Sequence, residues 1–201
     1  MRSLYELKPT FQNQLRPLVN QLAHRGVTAN QVTIFATILS IFAGITITIG
    51  HEYPQLLLII PPLMLIRMAL NAIDGMLARE HGMKSILGGI LNELTDVISD
   101  AFIYLPFALI PGITSPLVVV IVILAIISEM AGILGVVAGG TRRYDGPMGK
   151  SDRAFIFALI SLLLGCGIIS GTWLNILFAM TIILLIINII NRVRNTLAEV
   201  S

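Results

Sequence analysis

Residues 67–100 read RMALNAIDGMLAREHGMKSILGGILNELTDVISD, two apolar runs joined by a short polar connection, Glu80 to Met83. Arg79 and Lys84 flank that connection. The runs hold charges where charges are expensive: Arg67 and Asp74 in the first, Glu93, Asp96 and Asp100 in the second. At mid-bilayer the most penalised residues cost at least ~2.5 kcal/mol each, so an unneeded one is selected against. Their spacing gives them order. Arg67, Asn71 and Asp74, four and three apart, share one helical face. Gly88, Asn92, Asp96 and Asp100, each four apart, share a face of the next helix. The tight turn makes the two helices antiparallel. Counting inward from it at equal rise sets Asp74 opposite Asn92, Asn71 opposite Asp96, and Arg67 opposite Asp100. The outer rungs of this ladder offer oxygen ligands for a hard cation such as Mg²⁺, and the innermost rung is an ion pair.

The rest of the chain is of the same kind. Its 201 residues are 56% hydrophobic and 12% charged, with a mean hydropathy of +0.89. A soluble domain carries about 25% charged residues. Six apolar blocks, near 30–50, 54–79, 84–110, 116–139, 153–170 and 173–191, each approach the ~20 helical residues that cross a bilayer. The expected fold is therefore an all-α integral membrane protein. Six transmembrane helices (29–195) follow a cytoplasmic amphipathic juxtamembrane segment (1–28) and precede a short tail (196–201). No repeat or linker divides the chain, no cleaved signal peptide is expected, and nothing calls for a nucleic-acid partner.

Basic residues fix the expected orientation. Arg2, Lys8, Arg16 and Arg25 precede the first block; Arg79 and Lys84 flank the second connection. Arg142, Arg143, Lys150 and Arg153 occupy or border the fourth connection, and Arg192 and Arg194 follow the last block. The first, third and fifth connections hold none. The positive-inside rule then makes both termini and the Arg79–Lys84 turn cytoplasmic. Before the first block, Leu4, Leu7, Phe11, Leu15, Leu18 and Leu22 recur at helical spacing. That stripe predicts a helix in the headgroup layer, either an anchor or a gate for substrate, bent or divided at Pro9 and Pro17. Thr28 or Asn30 is placed to cap the first span.

Asn71-Ala-Ile-Asp74-Gly75-Met-Leu-Ala78-Arg79, eight further residues, and Gly88-x3-Asn92-x3-Asp96 together resemble the signature of the CDP-alcohol phosphotransferases. That signature reads D-x2-D-G-x2-A-R-x8-G-x3-D-x3-D. The spacing agrees throughout, with Asn71 and Asn92 at the first and third aspartate positions. Val27-Thr28-Ala29-Asn30 resembles the family's Thr-Pro-Asn segment before its first span. Pro147-Met-Gly149-Lys150-Ser-Asp-Arg153 resembles the basic segment that opens its fifth.

The resemblance implies a homodimeric enzyme of a bacterial inner membrane. It would move a phosphatidyl or other substituted phosphate group from a CDP-alcohol, such as CDP-diacylglycerol, to a hydroxylated acceptor, releasing CMP during phospholipid synthesis. It further implies Mg²⁺ or Mn²⁺, one or two ions, held by Asp74, Asn71, Asn92 and Asp96, with Asp96 as the base. Asn30, Gly75, Ala78, Arg79 and Gly88 would receive the nucleotide, although small residues also serve close helix packing. Lys150, Arg153, Arg142 and Arg143 form a basic cluster suited to a phosphorylated acceptor or a lipid headgroup, or to topology alone. Asp100 either joins the metal site or belongs to a structural network with Arg67 or Glu129. The two asparagines remove two negative charges, so a non-catalytic nucleotide- or lipid-binding relative is the alternative. A transporter is disfavoured, because paired repeats and broken helices are lacking.

Overall fold

The computed structural model describes residues 4–201, with side chains from Phe11 onward. Leu4, Leu7 and Lys8 of the N-terminal stripe therefore have side chains outside the described residues, and Arg2 lies outside them altogether. The described residues form seven α-helices and no strand: α1 Leu4–His24, α2 Ala29–Gly50, α3 Ile60–Glu80, α4 Ile86–Tyr104, α5 Ser115–Val137, α6 Lys150–Gly165 and α7 Thr172–Val200. Short 3-10 turns at Pro54–Ile59 and Leu105–Leu109 precede α3 and follow α4. The expected tail is helical, since α7 runs on to Val200.

The lateral faces of the long helices are inverted relative to those of a soluble protein. On α2 the exposed large apolar residues are Ile34, Phe35, Ile38, Phe42, Ile45 and Ile49, while Thr33, Ala36, Ser40, Ala43 and Ile47 are buried. On α7, Ile176, Met180, Ile183, Ile187 and Ile190 face outward, and Asn188 and Arg192 are buried. Large apolar side chains suit lipid, and small or polar ones suit helix contacts. Hydroxyls within α2 are satisfied locally: Ser40 donates to the Ala36 carbonyl at 2.7 Å and Thr37 to the Thr33 carbonyl at 2.9 Å. Four segments are long and apolar enough to cross a membrane: Ala29–Gly50, Pro54–Glu80, Ser115–Val137 and Thr172–Val200. The expected six-span count therefore rests on α4 and α6. Helix α4 carries Glu93, Asp96 and Asp100, and α6 has only 16 residues. At 1.5 Å per residue, a helix of that length falls short of a ~30 Å hydrocarbon core.

The chain packs as two compact units, Met1–Phe42 with Pro62–Ser99, and Ala43–Pro61 with Asp100–Ser201. Their boundary falls within α2 and α4 and at the start of α3, so no linker separates them. In the first unit, Val19, Ala29, Val32, Ile73, Met76 and Leu77 form a core, with Leu15 and Leu22 packed against it. Helix α1 is thus docked on α2 and α3 through a face centred on Val19, while Phe11 and Leu18 stay exposed. Helix α1 runs through Pro9 and Pro17 as one element, so of the two expected outcomes, bent or divided, it is not divided. Packing offsets the lost backbone bond at Pro17, and polar side chains add to it. Arg16 pairs with Glu80 at 3.0 Å, and Asn20 bonds His81 at 3.1 Å. Helix α1 ends at Gly26, whose φ of 76° lets Val27 donate back to the Leu22 carbonyl at 3.0 Å. That closure leads straight into α2.

In the second unit Phe157 of α6 is fully buried. Its ring stacks on Tyr104 at 4.1 Å and on Phe178 at 5.7 Å, and meets Phe107 edge-on at 4.9 Å. One residue thereby ties α6 to α4, α7 and the second 3-10 turn. Phe157→Ala is expected to destabilise the protein by roughly 3–5 kcal/mol, read as a drop in thermal unfolding temperature in detergent. A shift near zero would show that this cluster does not hold the unit together.

Candidate functional site

The start of α2 organises the first unit's polar residues. Thr28 accepts the Gln31 backbone N–H at 3.3 Å, and the Gln31 side chain accepts the Thr28 N–H at 2.9 Å. This reciprocal cap satisfies two helix-end donors with Thr28. Of the two capping candidates, Thr28 therefore does the work, and Asn30 is left for another role. A Cβ built on Gly88 of α4 would lie 2.8 Å from Asn30 Oδ1. The Asn30 side chain thus fills the space that glycine leaves. One turn further along α2, the Thr33 hydroxyl donates to Asp74 Oδ2 on α3 at 2.9 Å. Helix α2 thereby touches the signature residues of both following helices.

Asp74 is buried at 4% exposure; Asn71, Asn92 and Asp96 are half-buried. A buried carboxylate needs donors or a cation to offset its lost hydration, and Thr33 is one such donor. Gly75 has a similar purpose to Gly88. A Cβ there would lie 3.0 and 3.1 Å from the terminal nitrogens of Arg79, so that guanidinium folds back over the glycine. At Gly75 the neighbour is the motif's own Arg79, and at Gly88 the neighbours are the polar side chains of Asn30 and Ser85. Close packing of apolar helices is therefore not what keeps these two positions small.

Among the described residues no group of three or more His, Cys, Asp or Glu is placed to hold a metal ion. The signature positions supply two carboxylates, Asp74 and Asp96, and two amides, Asn71 and Asn92. All four offer hard oxygen atoms, which fits a divalent cation of the Mg²⁺ or Mn²⁺ kind. Two carboxylates balance the charge of one such ion and leave a second unneutralised.

The expected basic cluster belongs to the second unit, where its three arginines meet carboxylates. Arg153 is fully buried and donates to Asp100 at 2.9 Å, to Glu129 at 3.1 Å and to the Met148 carbonyl at 3.1 Å. Arg142 pairs with Glu129 at 3.4 Å and covers the Tyr144 ring at 4.5 Å. Arg143 pairs with Asp145 and Glu199, each at 3.2 Å. Lys150, half-buried, begins α6. Asp100 and Glu129 thus meet through Arg153 in one buried network. Arg67 is buried as well, at 3% exposure.

Sequence reasoning missed three contributors. Thr33 could have been found as the hydroxyl one turn after Asn30. Arg192 reads from the sequence only as a topology charge, and nothing in the pattern singles out Asn188, four residues before it on an apolar helix. Asn188 donates to the Asp145 and Pro147 carbonyls at 3.1 and 2.7 Å and accepts from Ser128 at 2.7 Å. Arg192 donates to the Ser128 carbonyl at 2.5 Å and to the Asp145 carbonyl at 3.3 Å. Together they pin the 141–149 connection to α5 and α7.

Residues 26–190 match the family model described as CDP-alcohol phosphatidyltransferase. The chain is 44% identical over 195 residues to the inner membrane protein YnbA of Escherichia coli, covering 97% of this chain and 96% of that one. It is 31% identical over 106 residues to the archaetidylinositol phosphate synthase of Pyrococcus horikoshii, about half of either chain (53% and 54%). In fold it is similar to the phosphatidylinositol phosphate synthase of Mycobacterium tuberculosis. The CDP-DAG-bound form of that protein superposes with a TM-score of 0.74 at 17% identity, covering 91% of this chain and 93% of that one. The form with manganese and citrate gives 0.73 at 18% identity, covering 91% and 88%.

Thr33→Val keeps the side-chain volume and removes one donor from a buried carboxylate. A loss of about 1–3 kcal/mol is expected, measured by thermal or denaturant unfolding in detergent. Unchanged stability would mean that Thr33 does not support Asp74.

Proposed function

Because the chain belongs to the CDP-alcohol phosphatidyltransferase family, we propose that it is a six-span membrane transferase acting on CDP-diacylglycerol or another CDP-alcohol. It moves the substituted phosphate to a hydroxylated acceptor and releases CMP. The reading is supported chiefly by one observation: Asp74 is buried on α3 and held by Thr33, with Asn30 of the same α2 turn filling the gap at Gly88. The motif's residues sit against each other within one compact unit. Helices α4 and α6 complete the six spans in this reading, both termini and the Arg79–Lys84 turn face the cytoplasm, and the protein works as a homodimer.

The chemistry is a displacement at phosphorus. The acceptor oxygen forms the new P–O bond as its proton passes to Asp96. The P–O bond to CMP breaks, and CMP leaves with the bonding electrons. Such transfers depend mainly on positioning and on neutralising phosphate charge. Asp74, Asp96 and the amide oxygens of Asn71 and Asn92 would hold the divalent ion. When bound, that ion supplies positive charge against the pyrophosphate. Arg79, seated over Gly75, adds a fixed cation at the helix end, and with Asn30, seated over Gly88, and Ala78 it would receive the nucleotide. With only two acids in the set, one ion is bound more strongly than any second.

The purified protein should release CMP from CDP-diacylglycerol with Mg²⁺ or Mn²⁺ and at least one member of a panel of alcohols. No release with any acceptor, combined with no metal-dependent CDP binding, would sink the enzyme reading and favour a non-catalytic relative. Asp96→Asn should lower turnover by about 10²–10⁴-fold, the usual reach of general-base catalysis, in a protein that still folds. Replacing Asn71→Asp and Asn92→Asp together should tighten Mn²⁺ binding, measured by titration. Unchanged or weaker binding would remove both positions from the metal set.

A further inference from the structure

Given the transferase reading, on which this inference rests, we propose that Arg16 of α1 is a positioning residue for Arg79, the cation that this reading sets against the nucleotide. The signature helix α3 has two sides. Asn71, Asp74, Gly75 and Arg79 recur at helical spacing along one of them. Ile73, Met76 and Leu77 recur along the other, and all three are buried in a core that also holds Val19 of α1. Glu80 continues that second series, three residues after Leu77 and seven after Ile73. The last residue of α3 therefore lies on the side against which α1 packs.

Helix α1 grips this end of α3 at two points. Arg16 holds Glu80 with two parallel donors, Nε to Oε2 at 3.0 Å and Nη2 to Oε1 at 3.1 Å. Such a fork fixes the direction between the partners as well as their separation. The fork is itself aimed, because Arg16 Nη1 donates to Asn13 Oδ1 at 2.6 Å. Asn20, one turn further along α1, bonds His81 at 3.1 Å. Asn13, Arg16 and Asn20 stand three and four apart and so share one face of α1. The two residues they serve directly follow Arg79, whose guanidinium folds back over Gly75. The final carbonyls of a helix lack intrahelical partners, so its last turn frays unless other contacts hold it. Here Gly82, at a φ of 67°, turns the chain away at once, and no further helical turn steadies Arg79. The clasp from α1 keeps that last turn wound, and with it the guanidinium over Gly75. Its partners are 45% and 35% exposed, so the pair adds little to global stability. Its effect belongs instead to the group it orients.

The test uses the full-length protein in lipid nanodiscs and titrates CDP in the presence of Mn²⁺. Arg16→Ala and Glu80→Gln should each weaken CDP binding by about threefold to fivefold, the reach of an exposed pair. Both should also speed tryptic cleavage within residues 79–84, a local readout that does not depend on the nucleotide. The reversed pair, Arg16→Glu with Glu80→Arg, should restore most of the lost affinity, which general destabilisation would not do. Glu80→Gln keeps the side-chain shape and decides the matter should Arg16→Ala not fold. CDP affinity unchanged in the folded single variants, cleavage within 79–84 unchanged, or no recovery in the reversed pair would each overturn the inference and leave the transferase reading intact. Absence of CMP release with every acceptor, together with absence of Mn²⁺-dependent CDP binding by the wild type, would remove the transferase reading and this inference with it.

Discussion

A guanidinium withdrawn from water among apolar helices persists only if carboxylate and carbonyl oxygens replace its hydration. Arg153 meets that requirement with Asp100, Glu129 and the Met148 carbonyl, and much of the second unit depends on the arrangement. Breaking a buried pair of this kind costs about 3–5 kcal/mol, because the remaining charge is left unmatched. Arg192 and Asn188 extend the same logic to the 141–149 connection. Its carbonyls at Asp145 and Pro147 are bonded by α7 side chains. Gly146 is part of that closeness: its φ is 94°, and a Cβ would lie 2.9 Å from the Asn188 Cα. A polar loop is thereby held to apolar helices without leaving those carbonyls unsatisfied.

The first unit solves a smaller electrostatic problem. Asp74 is buried and negative, and the Thr33 hydroxyl is a modest donor beside it. A carboxylate so placed is primed for a cation, and the amides at 71 and 92 lower the charge that the surroundings must balance. The glycines belong to the same design. Gly75 makes room for the Arg79 guanidinium and Gly88 for the Asn30 amide, so the motif's small residues position its polar ones.

How much of this was legible differs between the two units. Helices α3 and α4 and the turn between them follow from apolar length, from acids at helical intervals and from the Arg79–Lys84 boundary. The grouping of Asn71 with Asp74, and of Asn92 with Asp96, is a matter of 3.6 residues per turn. Thr33 was not legible, since a threonine in an apolar run ordinarily bonds its own helix, as Thr37 and Thr48 do, and the Thr33 hydroxyl lies 3.1 Å from the Ala29 carbonyl as well as 2.9 Å from Asp74. Pro17 does not divide α1. Its local cost is real, but the burial of Val19 and the Arg16–Glu80 pair outweigh it.

The sequence by itself determined that the protein is helical and membrane-embedded. It also identified the motif's helices and the charges that must be accounted for. Those follow from the cost of exposing backbone and charge to lipid, which each segment meets largely alone. Which charge meets which was decided only by the tertiary structure. Arg153, expected to await a phosphate, is committed to Asp100 and Glu129. Arg192, which looked like a topology marker, is buried against α5 and the 141–149 connection. The reason is physical: an ion pair is fixed by approach to within about 4 Å, and residues as far apart in sequence as Arg153 from Asp100 or Arg192 from Glu129 acquire that proximity only when their helices pack.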